Sequence, residues 1–133
     1  MDRISSRRNN IVAAFRTAAA GQHGLLLLDG KHLVEEAVRA SLSIKTLAMT
    51  TSRLADNKLL AESLADVGTK VMSVTESVMD AISPVVTPSG IVALADRPPV
   101  TVDDLLVRTP QFVVGLVDIQ NPGNLGAVIR TAE

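Results

Sequence analysis

The sequence predicts an α/β sandwich with a mostly parallel sheet, followed by the first βα unit of a second domain. Two observations predict the sandwich. Short runs of Leu, Val and Ile alternate with segments whose apolar residues recur at helical spacing. Turn residues punctuate these segments at Gly21, Asp29-Gly30, Gly68 and Thr87-Pro88-Ser89-Gly90. A third observation predicts the second unit. Beyond a proline-bearing connector, another apolar, β-branched run leads into Asn121-Pro122-Gly123-Asn124 and then a helical pattern.

The elements follow in order. Arg7 to Ala20 reads as a helix capped by Ser5 or Ser6, with Ile11, Phe15, Ala18 and Ala19 on its apolar side and Gly21 at its end. Leu25 to Leu28 reads as a buried strand broken by Asp29-Gly30. Lys31 to Ala40 reads as a helix with Leu33, Val34, Ala37 and Val38 inward, and Ile44 to Met49 as a second strand. Asn57 to Asp66 reads as a helix with Leu59, Leu60 and Leu64 inward, closed by Gly68. Lys70 to Val74 is a third strand, Thr75 caps a short helix towards Ile82, and Ile91 to Ala95 is a fourth strand.

Residues 96–110 break the pattern. Arg97-Pro98-Pro99 stiffens the backbone, and Pro110 ends a short apolar segment over Val102 to Val107. The expected organisation is a first domain over 1–95, a linker over 96–110 and the start of a second domain over 111–133. In that second unit the run beginning Phe112-Val113-Val114 reads as a strand buried on both faces. Gly123 can take a positive φ, so the chain can turn sharply there, and Leu125, Val128 and Ile129 recur at helical spacing. Ligands of open α/β sheets sit at the carboxyl ends of strands, where residues 121–124 are placed. Arg130 is close enough along the helix for its side chain to reach back towards that loop. One strand and one helix cannot bury a core, so the second domain is expected to be truncated. A fragment, a truncated reading frame and a decayed gene product all fit that expectation.

Composition narrows the function classes. The chain has 133 residues, 47% of them hydrophobic, and a mean hydropathy of +0.29, which excludes a disordered segment. With two Phe and no Trp or Tyr, stacking on RNA bases is not its main recognition device. The absence of cysteine excludes disulfides and thiolate metal sites and fits a cytoplasmic protein. His23 and His32 are too isolated to suggest a metal centre. No apolar run approaches the roughly 20 residues of a membrane span. The Arg- and Ser-rich start invites a transit-peptide reading, against which Asp2 and the good fit of the following helix both count. The net charge of −1 shows no global basic footprint, so any nucleic-acid contact must be local. Arg3, Arg7, Arg8 and Arg16 form the densest positive cluster and are the candidate phosphate contacts. The alternative for them is a solvated helix face.

The string Asp118-Ile119-Gln120-Asn121-Pro122-Gly123-Asn124-Leu125-Gly126-Ala127-Val128-Ile129-Arg130-Thr131-Ala132 resembles the first signature motif of the SpoU-type RNA 2′-O-ribose methyltransferases of the SPOUT class. Leu28-Asp29-Gly30-Lys31-His32-Leu33-Val34-Glu35-Glu36-Ala37 and Thr87-Pro88-Ser89-Gly90-Ile91-Val92-Ala93 resemble the entry and the closing strand of that family's substrate-binding domain. Asp29 departs mildly from the glutamate that many members carry. The resemblance implies a three-layer α/β/α substrate-binding domain like that of ribosomal proteins that bind kinked RNA. It also implies the opening of a trefoil-knot catalytic domain.

The resemblance further implies ribose 2′-O-methylation of rRNA or tRNA with S-adenosylmethionine, whose site is expected beyond this chain. It implies RNA as partner, a homodimer for the full-length protein, no metal and no membrane. Arg130 matches the family's catalytic arginine and Asn124 its motif asparagine. A guanidinium is effectively always protonated, so Arg130 is expected to clamp a phosphate and stabilise a developing alkoxide rather than to take a proton. Asn124 is expected to orient the ribose or hold Arg130, unless it merely caps the helix. Glu133 is expected to be a solvated helix residue. Lys31 joins the arginine cluster as an expected RNA contact. Two other classes compete with the enzyme. A stand-alone RNA-binding module explains residues up to about Ala95 but leaves Asn124 and Arg130 without a role, and an interaction domain without RNA affinity is favoured only by the charge near zero.

Overall fold

Five strands form one sheet in the order β1-β4-β3-β5-β2. The computed structural model describes residues 2–21, 24–99, 101–107 and 113–132. His23, Pro110, Gln111, Phe112 and Glu133, on which sequence expectations fell, lie outside the described residues. The chain divides into two compact units, Met1–Pro99 and Val100–Glu133.

In the first unit the order is β1 (Asp2–Ile4), α1 (Asn10–Ala19), β2 (Leu25–Asp29), α2 (Lys31–Arg39), β3 (Ile44–Thr50), α3 (Thr51–Asp56), α4 (Lys58–Asp66), β4 (Lys70–Val74), α5 (Glu76–Ile82) and β5 (Ile91–Asp96). β4 pairs parallel with β1 and β3, whereas β5 pairs antiparallel with both β3 and β2. Four strands therefore share one direction and β5 alone opposes them. Because β5 sits between β3 and β2, half of the pairings are antiparallel, which corrects the expectation of a mostly parallel sheet at the level of its pairings. The carboxyl ends of β1 to β4 and the amino end of β5 lie along one edge.

The sheet is covered on both faces, which completes three layers. On one face Val12, Phe15 and Ala18 of α1 pack with Val78, Met79 and Ile82 of α5 against Ala48, Met72, Val74, Val92 and Leu94. On the other face Val34 and Ala37 of α2 and Leu64 of α4 pack against Leu47, Met49, Ile91, Ala93 and Ala95. The alternation of β5 residues between the two clusters follows from the period of two in a strand. The buried Thr69 satisfies its hydroxyl by donating to Ile44 O at 2.8 Å.

Several boundaries move for local reasons. α1 starts at Asn10 and is capped by Asn9, whose Oδ1 accepts from Ile11 N at 3.1 Å. The expected caps Ser5 and Ser6 precede a turn in which Ser6 O accepts from Asn9 N. Residues 2–4 form an edge strand that the sequence reading did not place. α3 is a further addition: Thr50 closes β3 and its hydroxyl caps the next helix by accepting from Arg53 N. Thr75 caps α5 as expected. Leu59 is not inward but 83% exposed, because Ala61 and Leu64 define the buried side of α4 and Leu59 lies across the helix from Ala61. Leu33 and Val38 likewise flank, rather than join, the buried side of α2.

In the second unit α6 (Val102–Leu106) and α7 (Pro122–Ala132) are helical. α6 falls in the stretch read as linker and starts at a capping box. The Thr101 hydroxyl accepts from Asp104 N at 3.2 Å, and the Asp104 carboxylate accepts from Thr101 N at 2.7 Å. The bond from Thr101 N, chiefly, lowers the Asp104 pKa. Residues 113–121 form no strand, and Val113, Val114, Leu116 and Val117 are exposed. A strand needs a hydrogen-bonding neighbour, and the described residues of this unit supply none.

Candidate functional site

The second unit presents its motif on α7. Asn121, not Asn124, caps this helix: its Oδ1 accepts from Gly123 N at 2.8 Å and Asn124 N at 3.3 Å. Pro122 takes the first helical position, where a missing N–H costs nothing. Gly123 is helical, and the positive φ of this segment falls at Asp118, at 51°. The residues expected to turn therefore open the helix, and the positive φ lies five residues before Gly123. Asn124 lies in the first turn of α7 and is exposed.

Arg130 folds back along α7 to Gly126, where a Cβ would lie 3.2 Å from its Nη1. It does not lie on the same side as Asn124. Six helical residues place the two about 120° apart around the axis and about 9 Å apart along it. The motif thus presents an exposed guanidinium over a glycine, with the amide on an adjoining side.

In the first unit the expected basic cluster is divided. Arg7 Nε donates to Ser77 O at 2.7 Å and Arg16 Nε donates to Ala81 O at 3.1 Å. Both acceptors belong to α5 and are four residues apart, about 6 Å of helix rise. Two arginines are therefore anchored to carbonyls about one helical turn apart on α5. Arg8 sits in the exposed turn before α1. Arg3 belongs elsewhere. Its neighbour Ile4 packs with the α1–α5 core, so in the strand Arg3 points to the opposite face. Lys31 opens α2 on that opposite face too and pairs with Glu35 at 3.6 Å.

Lys31 lines a cavity of about 560 Å³ with Asp29, Gly30, His32, Arg53, Asp56, Asn57 and Ser89 among others. Asp29 ties its wall together: Ser83 Oγ donates to it at 2.5 Å and Ser89 Oγ at 3.5 Å. Arg53 Nε donates to Ser89 O at 3.0 Å. Sequence reasoning missed Arg53, since α3 itself was not foreseen. The available signal was Ser89-Gly90, because Gly90 has φ +84° and a Cβ there would lie 2.8 Å from Arg53 Cγ.

A second cavity, of about 660 Å³, has an apolar floor of Leu54, Ala55, Ala61, Ala65 and Val71. Its charged rim is self-paired through Lys58–Glu62 at 3.5 Å and Lys70–Asp2 at 3.4 Å. No expected site residue lines it. Among the described residues no group of acidic, His or Cys side chains could hold a metal ion, and no helix is long and apolar enough to cross a membrane.

Comparison with known proteins gives these arrangements a setting. The family described as MRM3-like substrate binding domain matches residues 21–93. An uncharacterized tRNA/rRNA methyltransferase of Synechocystis is 32% identical over 97% of this chain and 48% of its own length. The 23S rRNA (guanosine(2553)-2′-O)-methyltransferase RlmP of Bacillus subtilis is 29% identical over 80% of this chain and 39% of its own length. A crystal structure of an RNA 2′-O ribose methyltransferase shares the fold with a TM-score of 0.65, at 23% identity over 98% of this chain and 51% of that one. The AdoMet-bound rRNA methyltransferase of Sinorhizobium meliloti does so with a TM-score of 0.63, at 23% identity over 73% of this chain and 37% of that one. The chain thus spans about half, or less, of the length of the curated relatives it matches.

Proposed function

The chain belongs to the family of MRM3-like substrate-binding domains, and from that membership we propose that it serves an RNA 2′-O-ribose methyltransferase acting on rRNA or tRNA. Residues 1–95 are the RNA-binding domain and residues 111–133 open the catalytic domain. One observation carries this reading: the likeness to a tRNA/rRNA methyltransferase runs through 97% of the chain and so includes α7 as well as the sandwich. A stand-alone RNA-binding module would leave the α7 motif without a role.

RNA lies first along α5, where Arg7 and Arg16 meet successive phosphates, with Arg8 beside them. Arg3 and Lys31 extend the contact on the other face. In α7, Arg130 grips a phosphate next to the target nucleotide and stabilises negative charge as it develops on the ribose 2′ oxygen. Its planar fork suits both tasks. Asn124 orients the ribose from the adjoining side of the helix.

The methyl donor is S-adenosylmethionine, as the relatives' activity and the AdoMet-bound neighbour support. The hollow beside α7, of about 750 Å³, is lined by Val114, Ala127, Val128, Thr131 and Ala132. Its hydroxyl, on Thr131, already donates to Ala127 O at 2.9 Å. This apolar lining does not fit the charged ends of the cofactor, so the cofactor site is assigned outside these residues. The same reading carries a cytoplasmic location and a homodimeric whole enzyme.

Mapping ribose methylation in rRNA and tRNA from cells with and without the gene tests the proposal. Loss of a specific 2′-O-methyl mark, restored by the wild-type gene and not by one carrying Arg130→Ala, is the expected result. An unchanged methylation map in the absence of the gene contradicts it.

A further inference from the structure

The geometry points to Arg53 as a further RNA-contact residue, a guanidinium held ready for a backbone phosphate by Ser89 and Gly90 across a cavity shared with Lys31. This rests on the RNA reading above and adds a residue that neither the motifs nor the basic cluster indicated. Three observations carry it. Arg53 is exposed yet held at both its stem and its head. Its Cγ lies 2.8 Å from the point a Gly90 Cβ would occupy, and its Nε donates to Ser89 O at 3.0 Å. That bond uses the inner edge of the guanidinium and leaves both Nη nitrogens to donate outward. Among the described residues no carboxylate pairs with it, not even Asp56 three residues on.

The support beneath Arg53 is itself fixed. Thr50 N donates to Gly90 O at 3.0 Å, and Gly30 N donates to Ile91 O at 2.9 Å. Asp29 takes the hydroxyls of Ser83 and Ser89, so this carboxylate is engaged with the loop on which Arg53 is braced. The cavity of about 560 Å³ then places Lys31 and Arg53 on one concave surface at the carboxyl ends of β2 and β3. A side chain that is held before its ligand arrives loses less entropy on binding. Gly90 is a positioning residue here: any Cβ would displace Arg53 without changing the charge.

The test is RNA binding by the 133-residue chain, followed by fluorescence anisotropy at several salt concentrations with bulk tRNA and fragmented ribosomal RNA as probes. Arg53→Ala, Arg53→Lys and Gly90→Ala are compared with wild type, and each variant's thermal midpoint is recorded. Removing one phosphate contact lowers the slope of log affinity against log salt by about one. Arg53→Ala is expected to show that loss. Arg53→Lys is expected to keep the slope while binding more weakly, since an ammonium cannot brace on Ser89 O and fork a phosphate together. Gly90→Ala is expected to weaken binding with the charge intact. A purely structural Arg53 would lower the midpoint and leave the salt slope at the wild-type value, and that result overturns the inference. Wild-type binding with an unaffected Arg53→Ala variant refutes Arg53 alone, whereas absence of RNA binding by wild type refutes the RNA reading and this inference with it.

Discussion

The guanidinium of Arg130 lies over Gly126, one turn earlier in α7, with its Nη1 3.2 Å from the point a Cβ would occupy. Replacing Gly126 by alanine therefore has two opposed effects. Alanine in a helix interior is more favourable than glycine by roughly 0.5–1 kcal/mol. The same methyl group forces the flexible head of Arg130 to give by a few tenths of an ångström. Gly126→Ala is expected to raise helix content in circular dichroism while lowering methyl transfer in an active protein that carries this segment. Increased helicity with unchanged transfer would separate Arg130's position from its role.

Arg130→Lys discriminates between charge and geometry. If Arg130 only attracts RNA, lysine keeps nearly full activity. If it forks a phosphate and stabilises the 2′ oxygen, both Arg130→Lys and Arg130→Ala lose about 10²-fold or more in turnover. RNA affinity should fall far less, because Arg7 and Arg16 remain pinned along α5. Single-turnover kinetics with a separate RNA-binding measurement checks the pattern, which marks an interaction made mainly in the transition state.

Deleting residues 111–133 should leave the first unit folded. Both apolar clusters draw all their members from residues 4–95. The deletion also removes the exposed Val113, Val114, Leu116, Val117 and Ile129. Exposed apolar patches promote association, so the shortened chain should sediment with less self-association. Loss of the cooperative thermal transition would show that the second unit supports the first.

The pairing of Lys45 with Asp96 gives a pH test. Lys45 Nζ lies 2.8 Å from Asp96 Oδ2. Its hydrogen bond, aided by its charge and by Ser43, holds the Asp96 pKa below the ordinary 3.8. A carboxylate depressed on folding adds stability above its unfolded pKa and loses it as pH falls through the folded value. The exposed pair is worth little in water. Lys45→Met is therefore expected to lower the thermal midpoint slightly near neutrality, with the difference from wild type vanishing as pH falls through the lowered folded-state pKa of Asp96. A difference that persists in acid would assign the effect to packing.

What the sequence made legible is uneven for physical reasons. Lys70–Val74 and the Thr75 cap were readable because a buried strand and a hydroxyl cap leave strong local signals. β1 was not, because three residues with two charges carry no period. α3 was hidden because Thr50 ends a strand and caps a helix in one step. The antiparallel insertion of β5 depends on long-range pairing, which local pattern does not encode. In the candidate site, Asn124 and Arg130 stand out in the motif, yet the cap falls on Asn121 rather than Asn124, which only the folded helix start shows. The basic cluster looked continuous in sequence, but strand alternation sends Arg3 to the other face from Arg7 and Arg16.

The most direct measurement of the central claim is ribosomal RNA binding by the wild-type 133-residue chain across a salt series. The phosphate contacts predict saturable binding whose logarithmic affinity falls with log salt by about 0.7 to 0.9 per phosphate contacted, with Arg7, Arg16 and Lys31 together supplying roughly two to three of that slope. Triple replacement of Arg7, Arg16 and Lys31 by alanine should lower the slope magnitude by roughly two to three. Absence of saturable binding, or binding indifferent to salt, would contradict the account.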